Sequence, residues 1–454
     1  MRFYLKAFLL AYLYTLLTGF AVQFVVLPYL FPQAHWGEGL MVGGDWIEFH
    51  QDAVVLANRI EREGWHAWTL KPEPNYQPMA GITAFFYALT GIHKPWVMLF
   101  YNAFLHALAF ITLIGILRLF GFGKKVSLLA SVPFLIFPSS LTWTSQIHRD
   151  GLYIAGFYLM FLAFVLLIKR NPFYGLIPFS VGILFVYVSR QHMLIPLKYI
   201  IAILSLIFLV SSVYIFIRRM DYKTNVLRFL TAVCMIILIN PLLPQLQLNQ
   251  IQSDLQLNQI QSDQQLNQIQ SDQQLNQLQS DQPQSGELQS SWIRTPFLPE
   301  KLDNMFWSLA SVRESFIRYY SNHAGNIDHD FIPHSFWDFV KYMPRALQIG
   351  LFAPFPNMWF TKGGTPGGTV ARYITPFEAL FIYLCLAVFP FVVYRFRKDL
   401  SFWVVTMVSL SIIWLHVLSE PNVGAIYRKR YGFIMLMSAF SLAFVLDKRY
   451  DKIF

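Results

Sequence analysis

The chain has 454 residues, of which 55% are hydrophobic, 17% aromatic and 13% charged, with a formal net charge of +10. Soluble domains carry about 25% charged residues; here the apolar residues come in long blocks and the mean hydropathy is +0.43. That excludes a soluble globular domain, a coiled coil and a disordered chain, and predicts an all-α polytopic membrane protein.

A hydrocarbon core takes about 20 apolar residues per helix. The first block runs from Ala7 to Leu30 behind Arg2 and Lys6. It exceeds the core of a signal peptide and no small-residue cleavage site follows, so it is expected to be a retained helix with its N-terminus in the cytoplasm. Further blocks lie near 95–120, 126–145, 151–168, 173–189, 193–217, 229–244, 374–394, 400–418 and 431–446, giving about ten transmembrane helices. The cytoplasmic connections are then Lys124-Lys125, Lys169-Arg170, Arg218 to Arg228, Arg395 to Lys398 and the tail from Lys448. Each is basic, and adding or losing one span would put every later cluster on the wrong side. Most Lys and Arg thus act as topology signals, and the net charge gives no ground for nucleic-acid binding. Cys234 and Cys385 both sit inside apolar blocks, which argues against a disulfide framework or a cysteine metal site. No Asn-x-Ser/Thr occurs, which favours a bacterial source and hence the inner membrane.

Four regions follow. Residues 1–244 hold seven helices and a first extracytoplasmic loop over 32–94; 245–291 form a low-complexity linker; 292–373 form an extracytoplasmic amphipathic and re-entrant segment; 374–454 hold helices eight to ten. In the linker a nine-residue unit, as in LNQIQSDQQ, repeats with Asp254, Asp263, Asp272 and Asp281 in register. Successive nonapeptides face opposite sides of a helix or strand, so no apolar stripe is built and a solvated linker is expected. Next, Leu302, Met305, Phe306, Leu309, Val312, Phe316, Ile317 and Tyr320 recur at helical spacing, with Arg313, Glu314 and Arg318 between them. This predicts an amphipathic helix on the outer leaflet. Gly350 to Phe360 is apolar but broken by Pro354 and Pro356, which predicts a re-entrant or interfacial segment. His323, Asp328, His329, Asp330 and His334 are possible ligand types at no standard metal spacing, and no metal site is assigned to them.

Ionisable residues collect on the predicted outer side. Asp45, Glu48 and Asp52 would share one helical face, with Asp45 behind the Gly43-Gly44 turn above the first helix. The later outer connections hold His148, Arg149 and Asp150, then Arg190 and His192. Arg345 lies beside the re-entrant segment, and Arg428, Lys429 and Arg430 stand immediately before the last predicted helix. Cations here run against the positive-inside bias, and guanidinium groups suit bidentate phosphate binding. The alternative for them is nonspecific contact with lipid headgroups. For Asp150 the alternative is a first-turn acid complementing its helix N-terminus.

The order of signals resembles a known family. After Asp45 come Phe49 and Ala53, Gly64-Trp65, Gln77-Pro78, the turn from Leu89 to Gly91, and Asp150 in SQIHRDGLYIAGFYLMF. Over roughly residues 40–165 the chain is similar to the GT-C membrane glycosyltransferases, in particular the branch of protein mannosyltransferases and lipid A aminoarabinose transferases. It departs from the adjacent Asp-Glu common in that branch, since Trp46 follows Asp45. The resemblance implies an inverting transfer of sugar from a polyprenyl-phosphate-linked donor to a cell-envelope glycan, lipid or protein acceptor, with a first-loop Asp as base. The chemistry agrees: the phosphate departs as a stable anion, so cations can stand in for a glycosidase's acid. One carboxylate is still needed to take the acceptor's proton. Asp45 is the expected base, and Asp150 a second catalytic acid orienting His148 or the acceptor. Glu48, His148, Arg149, Arg190, His192, Arg345, Arg428 and Arg430 are the expected substrate-binding groups. A divalent cation is compatible with this scheme but not required by the sequence.

Two other classes compete. A polymerase or ligase using a polyprenyl-diphosphate oligosaccharide would share the outer arginines, but not the first-loop Asp with its large aromatic-rich loop. A lipid-linked-sugar flippase would place charges within spans or carry inverted repeats, whereas these blocks are nearly free of charges and show no internal repeat of helices.

Overall fold

The computed structural model describes residues 2–170, 172–217, 223–240, 292–319 and 324–447. The nonapeptide linker and His323 lie outside these residues. The chain is an all-α polytopic membrane protein. Among the described residues seven helices are long and apolar enough to cross a membrane, or eight if one bent pair is a single span.

Helix α1 (Arg2–Ala21) continues as a π-helix over Val22–Leu30. The first loop opens with a small hairpin, β1 (His35–Gly37) and β2 (Leu40–Met41), and continues through α2 (Trp46–Glu63) and α3 (Pro78–Thr90). Then come α4 (Met98–Leu119), α5 (Lys124–Ile136) and α6 (Pro138–Thr144). The predicted span over 126–145 is thus two helices, bent by 63°. Proline at 138 disfavours helical geometry in the residue before it, and Phe137 is extended at φ −62°, ψ 130°.

Helices α7 (Asp150–Lys169) and α8 (Leu176–Arg190) cross at paired glycines. A Cβ on Gly182 would lie 2.7 Å from the Gly156 carbonyl, and one on Gly156 would lie 2.9 Å from that of Gly182. Small residues let membrane helices approach this closely. Two apolar helices, α9 (Leu194–Ile217) and α10 (Lys223–Ile239), pack against each other at the sixth and seventh predicted positions. The outer segment contributes α11 (Glu300–Tyr319) and α12 (Phe336–Phe352). Helices α13 (Pro366–Phe396), α14 (Leu400–Ser419) and α15 (Val423–Leu446) complete the bundle.

Burial separates the centre of the bundle from its rim. The spans of α4, α7 and α15 are 72%, 78% and 83% buried, against 28% for α1 and 33% for α13. Leu10, Leu17, Phe377 and Leu384 on those two outer helices are each 65–71% exposed, as suits a surface solvated by lipid rather than water. The loops sort into two ends. At one end Lys169 pairs with Asp399 and lies over the Phe120 ring, while Arg228 donates to the Ile168 carbonyl at 2.6 Å. These belong to the basic connections expected in the cytoplasm. The first loop, the 145–149 turn, the end of α8 and the start of α15 meet at the opposite end.

Two arginines join the outer helices to the bundle. Arg313, read from periodicity as part of a polar face, is fully buried. It donates to Phe331 O at 2.8 Å, Val417 O at 3.0 Å and Asp328 O at 2.7 Å. A cation at the last carbonyls of α14 satisfies groups that a helix end leaves unpaired and complements its dipole. Arg430 does the same for α12, donating to the carbonyls of Ile349, Gly350 and Ala353. The C-terminal end of α12 packs on α14, where a Cβ on Gly350 would meet Ile413 at 2.5 Å.

Candidate functional site

The first loop carries Asp45 on a turn. Gly43 has φ +82°, and a Cβ there would also approach the Thr365 methyl to 2.9 Å; only glycine meets both demands. Asp45 follows at the N-terminus of α2, its side chain 43% exposed. Glu48 is exposed one turn later. Partial burial, then the charges of Asp45 and Asp52, push its carboxyl above the usual range.

Three amide side chains fix the 145–149 turn against this loop. Gln146 accepts from Met41 N at 2.9 Å and donates to Gly39 O at 3.1 Å. Asn102 donates to Thr144 O and Gln146 O, and Gln23 donates to Ser145 O at 2.5 Å. The turn therefore delivers His148, Arg149 and Asp150 beside Asp45. Arg149 reaches Asp45 Oδ2 through Nη2 at 3.3 Å and Gln77 Oε1 through Nη1 at 3.2 Å. Burial, then Arg190 nearby, lowers its guanidinium to about 10, so it stays charged at neutral pH.

Asp150 opens α7 and is 3% exposed. Its Oδ1 accepts from Arg190 Nη2 at 2.7 Å, and its Oδ2 lies 3.1 Å from Arg428 Nε. His148 Nδ1 accepts the Asp150 N–H at 3.0 Å, which leaves the ring proton on Nε2. Burial, with Arg428 and Arg149 nearby, pushes the imidazole down to about 3 against the opposing pull of Asp150. His148 is neutral, and the 3.3 Å approach of its Nδ1 to Asp150 Oδ2 is not an ion pair. Burial alone would raise the Asp45 carboxyl, but the Arg149 and Arg428 guanidinium groups together hold it below the usual range.

Against known proteins the outcome is plain. No protein-family model, curated protein or solved structure matches this chain.

Six of the residues singled out in the sequence therefore lie together: Asp45, His148, Arg149, Asp150, Arg190 and Arg428. Arg190 also sits 5.3 Å from the Tyr153 ring, whose hydroxyl meets His416 Nε2 at 2.7 Å. Arg345 and Arg430 are engaged elsewhere. Arg345 clasps Asp328 through Nε at 2.9 Å and Nη2 at 3.0 Å, with Phe355 against its guanidinium, while Arg430 caps α12. The side chain of His192 lies outside the described residues. The sequence expected Arg428 to Arg430 in a loop before the last helix; instead α15 begins at Val423, because Asn422 caps it by accepting from Ala425 N at 3.0 Å. Lys429 pairs with Glu420. Among the described residues no three His, Cys, Asp or Glu side chains cluster to hold a metal ion.

Charge and access divide the cluster. Three guanidinium groups face two carboxylates, which leaves one positive charge for an anionic ligand to balance. Asp45, Arg149 and Arg428 are 43%, 28% and 18% exposed, while Asp150 and Arg190 are each 3% exposed. The first three can touch a ligand; behind them Asp150 pairs with both Arg190 and Arg428. Buried charges persist only when paired in this way.

Proposed function

We propose that the chain is an inverting membrane glycosyltransferase that moves a sugar from a polyprenyl-phosphate carrier to a cell-envelope glycan, lipid or protein. One observation carries this: an accessible, ionised Asp45 stands against a group of arginines that holds one cation in excess. The acceptor hydroxyl attacks the anomeric carbon from the face opposite the phosphate, the bond from that carbon to the phosphate oxygen breaks, and Asp45 takes the hydroxyl proton. The departing phosphate carries its electron pair to Arg149 and Arg428, which supply preorganised charge where it develops. Phosphate binding also shares the arginines' charge, which raises the basicity of Asp45 when a base is needed.

The positive-inside rule puts this end of the bundle outside the cytoplasm, so the reaction faces the periplasm or exterior of a bacterial inner membrane. Cells lacking the protein should accumulate a polyprenyl-phosphate-linked sugar together with the unmodified acceptor, and the wild-type gene should clear both. Unchanged pools of lipid-linked sugar and envelope glycan would overturn the proposal.

A further inference from the structure

Between Arg372 and Arg395 on α13 the one charged residue is Glu378. Phe377 and Leu384 on the same helix are 71% and 70% exposed, whereas Glu378 is 3% exposed. A carboxyl group in an apolar helix is costly, and such groups persist where the bundle interior supplies partners for them. Both of its oxygens are occupied. Oε1 accepts the Ser139 N–H at 2.8 Å, one of the donors that the start of α6 leaves without a partner in its own helix. Oε2 accepts the Tyr427 hydroxyl at 2.6 Å, near the start of α15.

Those two partners belong to the elements that build the site. Helix α6 runs into the 145–149 turn that delivers His148, Arg149 and Asp150. Tyr427 directly precedes Arg428, whose Nε lies 3.1 Å from Asp150 Oδ2. The Tyr427 ring joins the same two helices again, with its centroid 6.2 Å from that of Trp143 on α6, and the Arg430 guanidinium lies 5.3 Å from its centre. Without Glu378 a backbone N–H and a phenol that is itself 7% exposed would lose their acceptor away from water. The starts of α6 and α15 would then shift to find other partners. Close-packed interiors transmit such strain, and Arg428 is the next residue along.

We infer that Glu378 is a positioning residue for phosphate binding: by tying α6 to α15 through Tyr427, it holds Arg428 where the carrier meets it. The inference rests on the proposed transferase function and adds to it a residue that touches no substrate. The test measures the affinity of the purified full-length protein for bare polyprenyl phosphate. Tyr427→Phe removes one hydroxyl and should raise the Kd about threefold, the loss of one hydrogen bond. In an Arg428→Gln background the same substitution should change nothing further, because residues that act through one another are not additive. Glu378→Gln should bind like the wild type, since its amide oxygen can accept from Ser139 and its amide nitrogen can donate to the Tyr427 oxygen. Glu378→Ala can do neither and should lose at least as much affinity as Tyr427→Phe; if it does not fold, the milder Tyr427→Phe decides. An unchanged Kd for Tyr427→Phe, or an equal loss with and without Arg428, overturns the inference and leaves the transferase proposal standing. So does a Glu378→Gln variant as weak as Glu378→Ala, which would make charge rather than the tie the essential feature. A wild type that fails to bind polyprenyl phosphate overturns both.

Discussion

The Arg149 guanidinium meets the Asp45 carboxylate at 3.3 Å although 104 residues separate them. The contact joins the start of α2 to the turn before α7, and through Gln77 it also reaches the start of α3. Three helix N-termini thus converge on one guanidinium, beside the Asp150 ion pairs.

Arg428 should matter for the carrier and Arg430 should not. Arg428→Gln removes a reachable cation and should raise the Kd for polyprenyl phosphate about tenfold, roughly 1.4 kcal/mol. Arg430→Gln should leave that Kd unchanged. Titration of the two purified variants with bare carrier separates these outcomes.

Arg430 should instead matter for stability. Arg430 is 2% exposed and its guanidinium serves three carbonyls at the end of α12. Arg430→Met leaves those carbonyls unpaired and should cost about 3 kcal/mol, read as a lower thermal midpoint in detergent.

Asp150→Asn should destabilise more than Asp45→Asn. Removing a buried partner leaves Arg190 and Arg428 facing each other uncompensated, a loss of about 3–5 kcal/mol. Asp45 is 43% exposed, and water screens what its neutralisation leaves behind. Thermal unfolding of the two variants side by side checks the order.

His148 sets an acid limb. Its folded value lies near 3, against 6.5 for an unperturbed imidazole, so below pH 6.5 the unfolded chain takes up a proton that the folded chain refuses. Stability should therefore fall as pH drops from about 6.5 towards 3, with no contribution from His148 above that window. Asp45 acts at lower pH: its depressed carboxyl adds stability above the unfolded value, lost as pH falls through the folded one. His148→Gln should flatten the first decline and leave the Asp45 limb, as followed by thermal midpoint against pH.

Part of the arrangement is legible in the sequence: hydropathy marks the apolar helices, although seven or eight rather than ten are long enough to span among the described residues, and the basic clusters sort the loops into two groups. That sorting puts Asp45, Asp150, Arg190 and Arg428 on one side, where packing then brings them together. Sidedness carries no distance, however, so it gives Arg430 and Arg345 the same standing as Arg428. Only tertiary structure reveals that backbone carbonyls and Asp328 already occupy them. Gln23, Asn102 and Gln146 carry no such signal, because a single amide in or beside an apolar block has no periodic or charge signature. The bend at Phe137 and the early start of α15 did leave local signals, Pro138 and the Pro421-Asn422 pair.

The measurement closest to the central claim is sugar transfer by Asp45→Asn in membranes supplied with lipid-linked sugar. Loss of a positioned general base lowers rates by about 100- to 10,000-fold, and the variant should fall in that range while inserting and binding bare carrier like the wild type. Transfer at the wild-type rate by a normally inserted variant would contradict the account.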